Sequence, residues 1–195
     1  LAAFLLFVLS FTLASFLNDL FLLVLVFYLF LTLIYSLKIK QYIGMDVIAL
    51  ASLYTIRIIA GAVLLDVTIS FWLLSFSMFV FLSLAIIKRC AELKSLIDLG
   101  KNNTSGRDYN IEDYPVLMNI GISSAMLSVL MFCFYVNSNV LTDQYQQPTI
   151  LWLAVPALCS WMMRMWIKTH RGEMHDDPIV FSLKDKGSII TIGFM

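Results

Sequence analysis

Asp46 and Arg57 stand eleven residues apart in DVIALASLYTIRIIAGAVL, a stretch otherwise apolar enough to dissolve in lipid. A charge held at mid-bilayer is costly, so an arginine retained there turns to a bundle interior or a watery cavity. On a helix, eleven steps return to within about 20° of the same face and rise about 16 Å. Asp46 and Arg57 therefore share a face, one at the membrane edge and the other near its middle, with the small Ala60 and Gly61 close by. Two uses fit that placement: a buried pin between helices, or a charge that meets a ligand.

A second group lies in AIIKRCAEL, where Glu92 follows Lys88 by four residues and Arg89 by three. One helical face then lets the carboxylate meet either cation, which describes a snorkelling helix end as well as a site. The segment YSLKIKQYIGMD adds Tyr35, Lys38 and Lys40 to the same rim, and Arg107 follows in the connection 88–115. Clustered Lys and Arg around a membrane cavity suit a phosphorylated ligand, because they donate charge-assisted hydrogen bonds to phosphate oxygens. The 88–115 connection, KRCAELKSLIDLGKNNTSGRDYNIEDYP, is the longest in the chain. Up to Leu99 it has the periodicity of a surface helix, and its length suits either a lid or a plain connector.

The residue types that are scarce narrow the chemistry. His170 and His175 are five apart in a polar loop, and Cys90, Cys133 and Cys159 form neither a disulfide framework nor a zinc spacing. Asp177-Pro178 reads as a helix start, with Asp as N-cap and Pro at the first position. Asn18-Asp19 in FLNDL reads as a polar tight turn. Net charge is zero and the basic residues are dispersed, which leaves no nucleic-acid footprint.

The elements that must carry these residues are membrane spans. Hydrophobic residues make up 61% and charged residues 13% of the 195, against roughly 45–50% and about 25% in a soluble domain. Six runs near residues 1–17, 20–37, 46–65, 69–87, 116–136 and 149–167 approach or reach the ~20 residues of a crossing helix. A seventh begins after Lys186 and stops after half a span. The expected fold is an all-α polytopic bundle, a single domain over 1–195. Both ends look cut from a longer protein, because the chain opens on Leu1 inside an apolar run.

Sidedness follows from the loops. The connections after the first, third and fifth runs contain no Lys or Arg, whereas those after the second, fourth and sixth hold 11 of the 13. Positive loops stay in the cytoplasm, so the second set is expected there. Asp46, Glu92, Asp98, Asp108, Glu112, Asp113, Glu173, Asp176, Asp177 and Asp185 fall on the same side. An enzyme, a transporter using Arg57 as a mid-membrane substrate or proton site, and a non-catalytic scaffold all fit these patterns. Against the transporter, the chain has neither internal repeats nor Gly/Pro-broken spans.

The segments YSLKIKQYIGMDVIALASLYTIRIIAGA, KRCAEL, GRDYNIEDYPVL and RMWIKTHRGEMHDDPIVFSLKDK, spread over residues 35–186, together resemble the UbiA superfamily of intramembrane prenyltransferases. The likeness is to the branch of bacterial decaprenyl-phosphate phosphoribosyltransferase and of UbiA-like proteins fused to a haloacid-dehalogenase-like domain. The resemblance implies a helical bundle around a cavity open to the cytoplasm and to lipid, in the bacterial inner membrane. It implies transfer of a polyprenyl group to a small acceptor, or joining of a polyprenyl phosphate to an activated phosphoribosyl donor, with loss of diphosphate and with Mg2+ held by two acidic motifs.

The first acidic motif is absent from this chain, and by helix count it would lie just before Leu1. This piece alone is therefore expected to be inactive. KRCAEL stands at the second motif, where Glu92 is the one acid placed for metal, and Lys88 and Arg89 are candidates to hold phosphate directly. Tyr35 and Lys38 match a tyrosine-lysine element that contacts diphosphate in the family. The resulting candidate site comprises Asp46 and Arg57 as catalytic residues, Tyr35, Lys38, Lys88, Arg89 and Arg107 toward the diphosphate, and Glu92 toward metal.

Overall fold

The computed structural model describes residues 2–100, 107–138, 148–174 and 177–194. The intervening segments, which contain Asn103, Asp143, His175 and Asp176, lie outside the described residues. Among the described residues there are eight α-helices and no strand: α1 Ala2–Leu17, α2 Asp19–Leu37, α3 Met45–Leu64, α4 Phe71–Asp98, α5 Tyr114–Val136, α6 Ala154–His170, α7 Pro178–Lys184 and α8 Lys186–Phe194. Five helical segments are long and apolar enough to cross a membrane: 19–37, 45–64, 71–98, 111–136 and 150–170. The chain is an all-α, multi-pass membrane protein. The first apolar run is helical over its described residues, Ala2–Leu17.

Polar punctuation sets the helix boundaries. Asn18 caps α2 by accepting the Leu20 N–H, so FLNDL is indeed a tight turn. Ser70 caps α4 and accepts the Leu73 N–H at 3.1 Å. Asn110 and Asp113 form a capping box ahead of α5, which carries Pro115 in its first turn. Asp177 caps α7 by accepting the Ile179 N–H, with Pro178 leading the helix. Gly44 opens α3 at φ 75°, a left-handed conformation that favours glycine.

Helix α4 is the spine. Its 28 residues span about 42 Å, so it crosses the hydrocarbon and continues beyond it. The stretch 88–98, at the head of the long connection, extends this one helix. Ile86, Ile87, Cys90 and Leu93 of α4 pack with Leu117 and Ala125 of α5 and with Leu158, Met162, Met165 and Trp166 of α6. The Trp166 Nε1–H donates to Ser83 Oγ at 3.0 Å, and Ser83 Oγ–H donates to the Gly121 carbonyl at 3.1 Å. A Cβ at Gly121 would overlap the Trp166 ring, so glycine is what allows the three helices to close on one another. Small residues and interhelical hydrogen bonds of this kind replace the hydrophobic drive that lipid cannot supply. Buried hydroxyls such as Thr55, Ser128 and Thr169 bond carbonyls of their own helices, which spares a polar group from facing lipid unsatisfied.

The connections after α2, α4 and α6 meet at one end of the bundle. The Asp108 N–H donates to the Gln41 carbonyl at 3.3 Å, the Gly44 N–H donates to Tyr109 Oη at 3.0 Å, and Lys88 pairs with Asp177 at 2.8 Å.

Candidate functional site

The charged residues singled out in the sequence separate into two groups. The first has a sealed centre in Asp46 and Arg89, with Glu92 and Arg107 partly exposed at its edge. Asp46, at the start of α3, has no exposed surface, and Arg89, about five turns into α4, is 2% exposed. Arg89 Nε donates to Asp46 Oδ2 at 2.7 Å, and its Nη1 donates to Glu92 Oε2. Arg107 Nη1 reaches the same Glu92 oxygen at 3.2 Å. On the other side of Asp46, Oδ1 accepts the Tyr109 hydroxyl and the Val47 N–H. Burial pushes the Tyr109 phenol well above its ordinary range, and the hydrogen bond to Asp46 adds to this. The network thus joins α3, α4 and the segment before α5.

The second group is open. Arg57 is exposed and donates from Nε and Nη2 to the Tyr28 hydroxyl at 3.1 and 2.6 Å. Its guanidinium carbon lies 5.3 Å from the Tyr28 ring centroid and 5.0 Å from that of Tyr54, within cation–π range. Among the described residues no carboxylate pairs with it. Asp46 and Arg57 share a helical phase but do not meet, because the buried stripe on α3 ends at Thr55 and leaves Arg57 uncovered, about 16 Å along the axis from Asp46.

Lys88 belongs with the open group. Its partner is Asp177 rather than Glu92, and both side chains are partly exposed. Burial works against the Asp177 charge, but Lys88 and the Ile179 N–H hold its carboxyl below the usual range. A crevice of about 20 Å³ between α3, α4 and α7 is lined by Tyr54, Phe81, Lys88 and Asp177. Tyr54, stacked on Phe81 at 5.2 Å, thus links Arg57 to Lys88. Tyr35 is half-buried and lies within electrostatic reach of Arg89. Lys38 is exposed at the end of α2. A larger groove of about 560 Å³ follows α6. Its Arg164 is held in a two-point pair by Asp185 at 2.6 and 2.8 Å, and its Lys168 by Glu173.

Sequence reasoning missed Tyr28, Tyr54 and Tyr109. Tyrosines in apolar spans and loops are too common to stand out, and Tyr109 meets Asp46 across 63 residues of chain.

The chain belongs to the UbiA prenyltransferase family, a class of intramembrane prenyltransferases, and the match covers residues 1–184. It is 40% identical over 162 residues to uncharacterized protein y4nM of Sinorhizobium fredii, covering 83% of this chain and 31% of that protein. It is 30% identical over 169 residues to nodulation protein NoeC of Azorhizobium caulinodans, covering 85% of this chain and 54% of that protein. The chain thus spans about a third to a half of the relatives it matches.

Enzymes of the family generally use divalent metal ions. Among the described residues no three His, Cys, Asp or Glu side chains come together as a metal site. Asp46 and Glu92 are each bonded to a guanidinium, so this pair of acids does not fit a divalent ion. Glu92, the acid expected toward metal, is shared between Arg89 and Arg107.

Proposed function

We propose that the protein acts as a UbiA-type transferase on a polyprenyl phosphate or diphosphate lipid. It passes the prenyl group to a small acceptor, or joins the lipid phosphate to an activated phosphoribosyl donor, with loss of diphosphate and with magnesium as the divalent ion. The family match over residues 1–184 carries this reading. Arg57 supports it, as a guanidinium inside a span with no carboxylate partner among the described residues. An uncompensated cation at that depth has a use if an anion comes to it.

In this reading Arg57, positioned by Tyr28 and Tyr54, and Lys88, at the rim of the crevice that Tyr54 lines, face the phosphorylated end of the lipid. Tyr35 and Lys38 extend the rim. Asp46, Arg89, Glu92 and Arg107 hold the helices that present them. Fixed donors aimed at a developing phosphate charge stabilise it without reorganisation.

The test is magnesium-dependent transfer by the full-length protein with a labelled polyprenyl substrate. Arg57→Ala and Lys88→Ala are expected to lose at least about tenfold in kcat/KM. Retention within about threefold would end the site assignment.

The basic end is read as cytoplasmic from its Lys and Arg content, in a bacterial inner membrane. A membrane-impermeant thiol reagent should label a cysteine placed at Asp143 from outside and leave one at Asn103 unlabelled. The opposite pattern would reverse the orientation.

A further inference from the structure

The family's use of divalent ions and the side chains at this end of α4 disagree, and the disagreement has a definite geometry. Asp46 and Glu92 come from different helices, and the group that bridges them is Arg89, with Nε on one carboxylate and Nη1 on the other. That is the position a bridging cation would take.

We infer that the Arg89 guanidinium is a built-in cation standing in place of a divalent ion, so that the protein binds no metal through Asp46 or Glu92. This inference rests on the reading of the chain as a prenyl-lipid transferase.

Three observations carry it. Charge is already balanced, with two carboxylates, Asp46 and Glu92, against two guanidiniums, Arg89 and Arg107. Arginine stays protonated at any ordinary pH, so a divalent ion would arrive beside a fixed positive charge. The oxygens of Asp46 are also engaged, Oδ1 by Tyr109 and the Val47 N–H, Oδ2 by Arg89. Finally, Asp46 has no exposed surface, whereas magnesium dehydrates reluctantly and keeps several waters in an octahedral shell. Arg89 cannot swing aside for such an ion without leaving Asp46 buried and uncompensated, an arrangement proteins avoid.

The experiment counts metal in the full-length protein, with Mn2+ as the probe, read by electron paramagnetic resonance and by calorimetric titration. Glu92→Gln changes a partly exposed side chain, and it should leave the number of bound Mn2+ per chain unchanged and the Kd within about twofold. Arg89→Glu puts a third carboxylate between Asp46 and Glu92 and should add one bound Mn2+ per chain. Loss of a bound Mn2+ in Glu92→Gln, or a folded Arg89→Glu protein that binds no more than wild type, would overturn the inference. If Arg89→Glu does not fold, the Glu92→Gln count decides alone.

Metal counts do not depend on turnover. A wild-type protein without transferase activity, but with an unchanged count in Glu92→Gln, removes the functional reading and leaves this one standing. An active wild type whose Glu92→Gln variant loses a metal does the reverse.

Discussion

Two arginines in this bundle solve the problem of a charge near lipid in opposite ways. Arg89 is surrounded: two carboxylates neutralise it, and the packed faces of α3, α4 and the segment before α5 exclude water from it. Arg57 is left with a phenol and two aromatic faces and no counter-ion among the described residues. Full pairing makes a charge structural, because its counter-charges lie inside the protein. Partial pairing keeps a charge in place and leaves it able to act on something else. The difference lies in what covers each residue, since both sit on helices that the sequence marks as spans.

Removing one partner from the sealed group tests this contrast most severely. Truncating one member of a buried ion pair leaves the other charge without compensation and costs about 3–5 kcal/mol. Asp46→Ala is therefore expected to lower the thermal midpoint of the full-length protein sharply and to reduce its folded yield. Arg57→Ala should shift that midpoint by no more than the ~0.5–1 kcal/mol of an exposed cation–π contact. Equal losses in the two variants, followed by tryptophan fluorescence on heating, would erase the distinction.

Activity should rank the other way among folded variants. Tyr28→Phe removes the hydroxyl that takes two bonds from Arg57 but keeps the ring beneath it. It should retain the wild-type midpoint and lose about three- to tenfold in kcat/KM, with Arg57→Ala losing more. If Tyr28→Phe and Arg57→Ala both leave transfer intact, the open arginine only pins α2 to α3.

Much of this architecture was legible in the sequence. Length and apolarity marked the spans, and Asp177-Pro178 marked the start of α7. The choice of Asp46, Arg89 and Glu92 came from their place at helix ends, and that of Arg57 from its depth in an apolar run. Their pairing was harder to read, because i,i+3 and i,i+4 neighbours are visible in a sequence and contacts between helices are not. Glu92 could reach Lys88 or Arg89 on one face, and the rotation of α4 against α3 gives it to Arg89. Lys88 then turns to Asp177, 89 residues away. Asp46 and Arg57 share a phase, but phase does not report where the cover on a helix stops.

Lys88 and Asp177 stand between the two regimes, and their pair should show the smallest and most pH-dependent effect. Asp177 titrates below the usual carboxylate range when folded and near pH 4 when unfolded. Its contribution is therefore fully present above about pH 4 and is lost as pH falls through the folded value. Both side chains are partly exposed, so solvent screening limits the pair to about 0.2–1 kcal/mol. The stability difference between wild type and Lys88→Met should be constant from neutral pH down to about 5 and shrink below about 4. High salt should reduce it as well. A difference that grew on acidification, or that ignored salt, would move Lys88 into the sealed group with Arg89 and leave Arg57 and Lys38 as the cations of the candidate site open to a ligand.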